Sequence, residues 1–257
     1  MHNTHMPVLF VGHGNPMNAI EDNEFSQAWT WIGASLPAPR AILCISAHWE
    51  TNGTAVTAML DPKTIHDFYG FPPALFAIQY SAPGSPELAE EICSLVKTVE
   101  IKPDQNWGLD HGTWSVLMRM FPNADIPVLQ LSLDRTQSPQ YHYDLGRELR
   151  SLRDHGVLII GSGNMVHNLG LVVWDDIALD WALEFDGKLK DWILQDNHTP
   201  IIHYQDYGRP AQLAVNSAEH FEPLLYTLGL KEPGEEVQFF TEKVSMGSIS
   251  MRTLKIG

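Results

Sequence analysis

Short apolar runs alternate along this chain with segments whose apolar positions recur every three or four residues, a pattern that predicts a sheet covered by helices. Strands are expected at residues 7–11, 41–47, 54–59, 127–133 and 157–161. Between them, residues 24–35, 86–97, 114–121 and 139–153 read as helices. The helix at 86 follows Gly84-Ser85-Pro86, a serine cap with proline at the first helical position. The helix at 114 follows Gly112-Thr113, which supplies an N-cap. Residues 180–195 carry Trp181, Leu183, Phe185, Leu189, Trp192 and Ile193 at helical spacing. Asn216 or Ser217 is then expected to cap a helix reaching residue 228, and strands at 237–241 and 248–254 close the chain. No repeat, low-complexity tract or linker interrupts the pattern, so one α/β domain spanning 1–257 is expected.

Composition narrows the class. With 44% hydrophobic and 18% charged residues over 257 positions, the chain can bury a substantial core. No apolar run approaches the roughly 20 residues that cross a bilayer, so no integral membrane protein is expected. The opening residues 1–7 lack the basic and apolar regions of a signal peptide, and a cytoplasmic location is expected. Sixteen basic against 31 acidic residues give a net charge of −15, which disfavours nucleic acid and anionic lipid as partners. Cys44 and Cys93 lack a CxxC arrangement and are read as reduced thiols.

The unusual residues are 12 histidines and 8 tryptophans. His13, His48 and His167 each follow a predicted strand, in Val11-Gly12-His13-Gly14, Ser46-Ala47-His48-Trp49 and Gly163-Asn164-Met165-Val166-His167. Ligand sites in open α/β sheets form beyond the carboxyl ends of strands, so parallel strands would bring these three imidazoles to one edge. With Ser217 as cap, His220 falls on the first helical turn, in line with Leu224 and Leu228, while Glu219 and Glu222 are rotated away. His111, in Trp107-Gly108-Leu109-Asp110-His111-Gly112-Thr113-Trp114, sits just before a helix start, where a side chain can enter a cleft. Any one histidine after a strand is ordinarily a turn or core residue; the joint placement carries the reading. His66, His142, His155, His198 and His203 are assigned to helices or loops without a role, and His2 and His5 to the N-terminal tail.

Other chemistries find no support. HExxH, a Walker A loop, GxGxxG and GxSxG are all absent.

Several ordered segments together resemble a known family: Gly12-His13-Gly14-Asn15-Pro16-Met17, Ser46-Ala47-His48-Trp49, Thr64-Ile65-His66-Asp67-Phe68, Gly108 to Trp114, Ser162 to Leu169, His220 before Pro223, and Met246 to Met251. The chain is similar over nearly its whole length to class III extradiol dioxygenases of the LigB superfamily, in the subgroup that acts on DOPA. The resemblance implies an α/β sandwich with a central mixed sheet flanked by helices. It implies metal ligands at His13, His48 and His220, His167 as catalytic base, and His111 as a catalytic group on the substrate side. Catechol and O2 would be the small-molecule partners, with Trp49 and Trp114 lining the ring pocket. In the wider superfamily the third ligand is usually a carboxylate, where this chain offers His220. Three neutral nitrogens with open positions suit Fe(II), expected for dioxygenase activity, and equally suit zinc. Two other readings use the same residues: a zinc-dependent hydrolase, and a non-catalytic binding protein of the same fold.

Overall fold

The computed structural model describes residues 5–257, and His2 lies outside them. The strands are β1 (Val8–Gly12), β2 (Ala41–Thr51), β3 (Thr54–Thr57), β4 (Ile101–Asp104), β5 (Val128–Asp134), β6 (Val157–Gly163), β7 (Val237–Phe240), β8 (Val244–Ser245), β9 (Ile249–Ser250) and β10 (Thr253–Ile256). The α-helices are α1 (Glu24–Ser35), α2 (Pro73–Phe76), α3 (Pro86–Leu95), α4 (His111–Met120), α5 (Pro139–Glu148), α6 (Asp180–Leu194), α7 (Thr199–Ile202), α8 (Arg209–Ala214) and α9 (Glu222–Leu230). None is long and apolar enough to cross a membrane.

Eight strands form one mixed sheet in the order β4-β3-β5-β2-β6-β1-β10-β7. The centre is parallel: β1 and β2 both run parallel to β6, and β5 runs parallel to β2. Antiparallel β10 closes one side and β3 opens the other. The central strands read as continuous apolar runs because both faces are covered. Val8, Phe10, Leu43 and Ile159 point into a core shared with α3, α5, α6 and α9. Their neighbours Leu9, Val11, Ile42 and Ile160 point the other way, toward Trp29 and Ile32 of α1 and Trp114 and Leu117 of α4. The expected mixed sheet flanked by helices is therefore present. Cys44 and Cys93 are free thiols, as expected.

Three boundaries differ from expectation in ways that matter to function. First, β2 runs to Thr51, so His48 lies within the strand and not beyond it. Pairing with β5 shifts there: Ile45 faces Leu131 and Glu50 faces Leu133, so five residues of β2 advance against two of β5. Such a bulge redirects side chains locally.

Second, α4 begins at His111, three residues earlier than expected, because Asp110 is its cap and accepts from the Thr113 amide at 3.2 Å. A carboxylate satisfies an orphan N–H at a helix start, so Asp110 takes the role expected of Gly112-Thr113.

Third, α9 begins at Glu222, and Ser217 caps nothing; its hydroxyl donates to Glu219. Pro223 explains the late start, since a proline lacks the interior N–H and is tolerated in the first turn. His220 therefore sits in a turn before the helix.

Candidate metal centre and its surroundings

β1, β2 and β6 end at one edge of the sheet, and their chain continuations carry the histidines. His13 follows β1 directly, and its amide donates to the Gly163 carbonyl at 3.1 Å. His167 follows β6 after a short extension, held by its amide to the Ala214 carbonyl at 2.9 Å and by bridges to Val215 and Ile249. The turn bearing His220 lies on the end of β6, where the His220 carbonyl accepts from the Asn164 amide at 2.8 Å. A Cβ on Gly163 would stand 2.2 Å from that carbonyl oxygen, so the approach requires glycine.

The structure brings His13, His48 and His220 together, with one ring nitrogen from each lying within 4.8 Å of the others. His111 joins them, its ring centroid 3.9 Å from that of His48. His167 lies parallel against His220, with centroids 3.5 Å apart and planes 8° apart. All five histidines singled out in the sequence thus converge on one edge.

Neighbouring groups fix the tautomers. Ser162 gives its hydroxyl proton to the Gly112 carbonyl at 2.6 Å, so it must accept from His13 Nδ1–H at 3.0 Å. His220 Nδ1–H donates to Glu219 Oε1 at 3.1 Å. His48 Nδ1 faces Asp67 Oδ2 at 3.4 Å. His13 and His220 are thereby left with a bare Nε2, and His48 has the same tautomer when its Nδ1 carries the proton facing Asp67. The Nε2 atoms of His13 and His48 face one another at 3.1 Å. With His48 protonated at Nδ1, two lone pairs at that separation would repel unless a positive charge lay between them. Two nitrogens each about 2.1 Å from one ion, at right angles, would stand roughly 3 Å apart. The donor set therefore fits a divalent cation, with ligands oriented through their second nitrogens as metal sites require.

The electrostatics agree with neutral imidazoles. Burial, followed by repulsion from the other rings, holds His13 and His220 well below the ordinary value of 6.5. Burial and the neighbouring His111 bring His48 to about 3, against the pull of Asp67. His167 falls to about 4, chiefly through burial, although Glu219 acts in the opposite direction. A neutral His167 can accept a proton near pH 7.

Asp67, given no role in the sequence reading, is part of this cluster. Its Oδ2 accepts from His111 Nδ1–H at 2.9 Å, and its Oδ1 from the His111 amide at 2.9 Å. Burial alone would raise its carboxyl, but the contacts with His111 and His48 outweigh that and hold it low. Glu219 was expected to turn away and instead meets His220; its oxygen also lies within 4.8 Å of a His167 ring nitrogen. Glu222 was also expected to turn away, yet it is buried against His142, with 3.3 Å between Oε1 and Nε2. His66 packs in an aromatic group with Phe68, Phe76 and Trp114.

The two tryptophans are both buried. Trp114 has no exposed surface, and its indole N–H donates to the Ile65 carbonyl at 2.8 Å. Trp49, adjacent to His48 on β2, stacks on Trp107 with centroids 5.6 Å apart and planes within 4°. The aromatic side chain that meets His111 is Phe68, edge to face at 5.5 Å.

Comparison with known proteins assigns this arrangement to a group. A family model described as the catalytic LigB subunit of aromatic ring-opening dioxygenase matches residues 1–251. The chain is 44% identical over 263 residues to 4,5-DOPA dioxygenase extradiol of Escherichia coli (strain K12), covering 100% of this chain and 97% of that protein. It is 39% identical to the protein of the same name from Beta vulgaris, with coverage of 96% and 95%. The crystal structure of an uncharacterized protein from Escherichia coli K12 superposes with a TM-score of 0.86 at 40% identity, covering 98% of this chain and 100% of that one.

Proposed function

Because the chain belongs to the family of catalytic LigB subunits of aromatic ring-opening dioxygenases, we propose that it opens a DOPA-like catechol by extradiol cleavage, inserting both atoms of O2. The observation that carries this reading is the convergence of one ring nitrogen each from His13, His48 and His220 beside two further imidazoles. The metal is read as Fe(II), and the same three nitrogens would also accept zinc. A bound divalent ion would supply Lewis acidity toward the catechol oxygens and, as iron, the electron exchange that O2 chemistry needs.

The protein's own groups act around that centre. Ser162 and Glu219 hold His13 and His220 by their Nδ1 positions, and Asp67 faces Nδ1 of His48, so the rings are oriented through their second nitrogens. His167, neutral and stacked on His220, stands at the edge of the site as the base for a catechol hydroxyl. Such a base contributes about 10²–10⁴-fold. His111 serves as a polar group toward the second hydroxyl. Trp114 and Trp49, both buried, are read as the aromatic walls of the ring pocket.

The match over residues 1–251 supports one catalytic domain. The free Cys44 and Cys93 suit a reducing compartment such as the cytoplasm. A zinc hydrolase or a non-catalytic binding protein is not favoured, since the family and these relatives are ring-opening dioxygenases.

The test is anaerobic loading with Fe(II), then addition of L-DOPA and air while oxygen uptake and the visible spectrum are recorded. A yellow ring-opened product with about one O2 consumed per catechol is the expected result. No uptake with DOPA or simple catechols, despite bound iron, would refute the proposal.

A further inference from the structure

One carboxylate serves two imidazoles of this site. Asp67 lies in the segment before α2, and its side chain is 18% exposed. Both its oxygens are engaged by His111: Oδ1 accepts the backbone N–H at 2.9 Å and Oδ2 the Nδ1–H at 2.9 Å. The same Oδ2 lies 3.4 Å from His48 Nδ1. A carboxylate has no proton to give near neutral pH, so every partner it holds must be a donor.

Contacts on either side of Asp67 keep it in place. The Ile65 amide donates to the Leu109 carbonyl at 2.7 Å, and the Leu109 amide to the Lys63 carbonyl at 2.8 Å. Trp114 donates its indole N–H to Ile65, and His66 Nε2–H donates to the Ile78 carbonyl at 3.1 Å. Phe68 packs edge-on against the His111 ring from the other side. The segment containing Thr64-Ile65-His66-Asp67-Phe68 is therefore fastened to the start of α4, and His111 is gripped by backbone, ring nitrogen and ring face together.

We infer that Asp67 is a positioning residue of the ring-opening reaction, holding His111 with Nδ1 protonated and Nε2 bare toward the catechol. The inference rests on the reading of the site given above. It changes the part played by His111: a bare Nε2 accepts a hydrogen bond and cannot donate one. His111 then receives the second catechol hydroxyl while His167 takes the proton of the first, and the two hydroxyls are held by acceptors on separate sides. The same Oδ2 stands 3.4 Å from His48 Nδ1, so one carboxylate lies beside both a metal ligand and the substrate-side group.

Asp67→Asn makes the inference testable, because asparagine has one oxygen and one NH2. If the oxygen keeps the His111 amide, the NH2 must face Nδ1, and the ring proton must move to Nε2. Imidazole tautomers are read by ¹⁵N NMR of selectively histidine-labelled, zinc-loaded protein, where no turnover is needed. The expected result is Nδ1–H at His111 in the wild type and Nε2–H in Asp67→Asn. With iron, the variant should keep its metal, by mass spectrometry, and its melting temperature within a few degrees. Its kcat should fall by about 10²–10⁴-fold, with KM changing much less, as expected when a carboxylate that fixes a histidine tautomer is replaced by its amide. A wild-type His111 protonated at Nε2, a variant with unchanged kcat, or a variant that loses its metal would each overturn the inference. Normal catechol cleavage alongside the wrong tautomer overturns this inference alone. Absence of any catechol cleavage by the iron-loaded wild type overturns the ring-opening reading on which it rests.

Discussion

The imidazole of His167 lies flat against that of His220, with ring centroids 3.5 Å apart and planes 8° apart. His220 has a ring nitrogen within 4.8 Å of ring nitrogens of His13 and His48, whereas His167 stands one ring-thickness away. That separation assigns the two residues different tasks. His167→Ala should retain the metal at wild-type stoichiometry while kcat falls about 10²–10⁴-fold. Metal analysis beside steady-state kinetics checks this, and loss of metal in the variant would instead make His167 a ligand.

Ser162 provides a test of how the metal ligands are oriented. Its hydroxyl accepts from His13 Nδ1–H and passes its own proton to the Gly112 carbonyl. Ser162→Ala removes the acceptor and lets the His13 ring turn or change tautomer. Partners of this kind are worth about 10–100-fold in metal affinity. Competition against a chromophoric chelator should therefore show weakening in that range, with ligand residues intact.

Gly163→Ala probes the close approach between β6 and the turn that carries His220. The added Cβ would meet the His220 carbonyl oxygen at 2.2 Å, a backbone atom that cannot swing aside. The turn must move, and overpacking of this sort costs about 1–3 kcal/mol. Denaturant melts should show that loss. Metal binding should weaken as well, because His220 travels with its carbonyl; a variant that binds metal normally would show that the turn can relax without moving the ring.

Glu235 supplies a pH-dependent contribution to stability remote from the metal centre. It pairs with the fully buried Arg153, which also donates to the carbonyls of Met6 at 2.8 Å and Leu230 at 3.0 Å. Burial would raise the Glu235 carboxyl, but Arg153 and the Glu232 amide outweigh this and hold it below the ordinary value of 4.5. The folded state therefore favours the ionised form. Its stabilisation is complete above pH 4.5 and is lost as pH falls through the lower folded value, where the folded chain must also take up the proton. Glu235→Gln should destabilise by about 2–4 kcal/mol at pH 7, since it leaves Arg153 less well paired. The gap between variant and wild type in urea midpoint should narrow below pH 4.5; a gap constant from pH 7 to 3.5 would contradict this account.

The central strands and the longer helices were legible from period and punctuation, whereas the edge strand β4 and the short helices α2, α7 and α8 were not. Local sequence also marked the residues of the site, since His13 and His167 sit among glycines beyond apolar runs and His111 beside a helix start. Those signals are local: a run of Val and Ile fixes a strand, and Ser85-Pro86 fixes a helix start, through atoms a few residues apart. Where local signals competed, the reading slipped. Ser217 and Asn216 looked like caps, but the missing N–H of Pro223 delayed the helix to Glu222 and left His220 in a turn. Trp49 and Trp114 were legible as large aromatics, yet nothing local said that one would stack on Trp107 and the other be fully buried against Ile65.

Local sequence specifies an α/β chain with histidines placed at or after its central strands. Tertiary structure alone decided which way those histidines face. Two of the groups that set their tautomers come from elsewhere in the chain: Ser162 is 149 positions from His13, and Asp67 is 44 from His111. A hydrogen bond depends on distance and direction in space, and no periodicity along the chain encodes either. Parallel pairing of β1, β2 and β6 creates the shared edge, the β2 bulge turns His48 into it, and Gly163 lets the turn carrying His220 close over it.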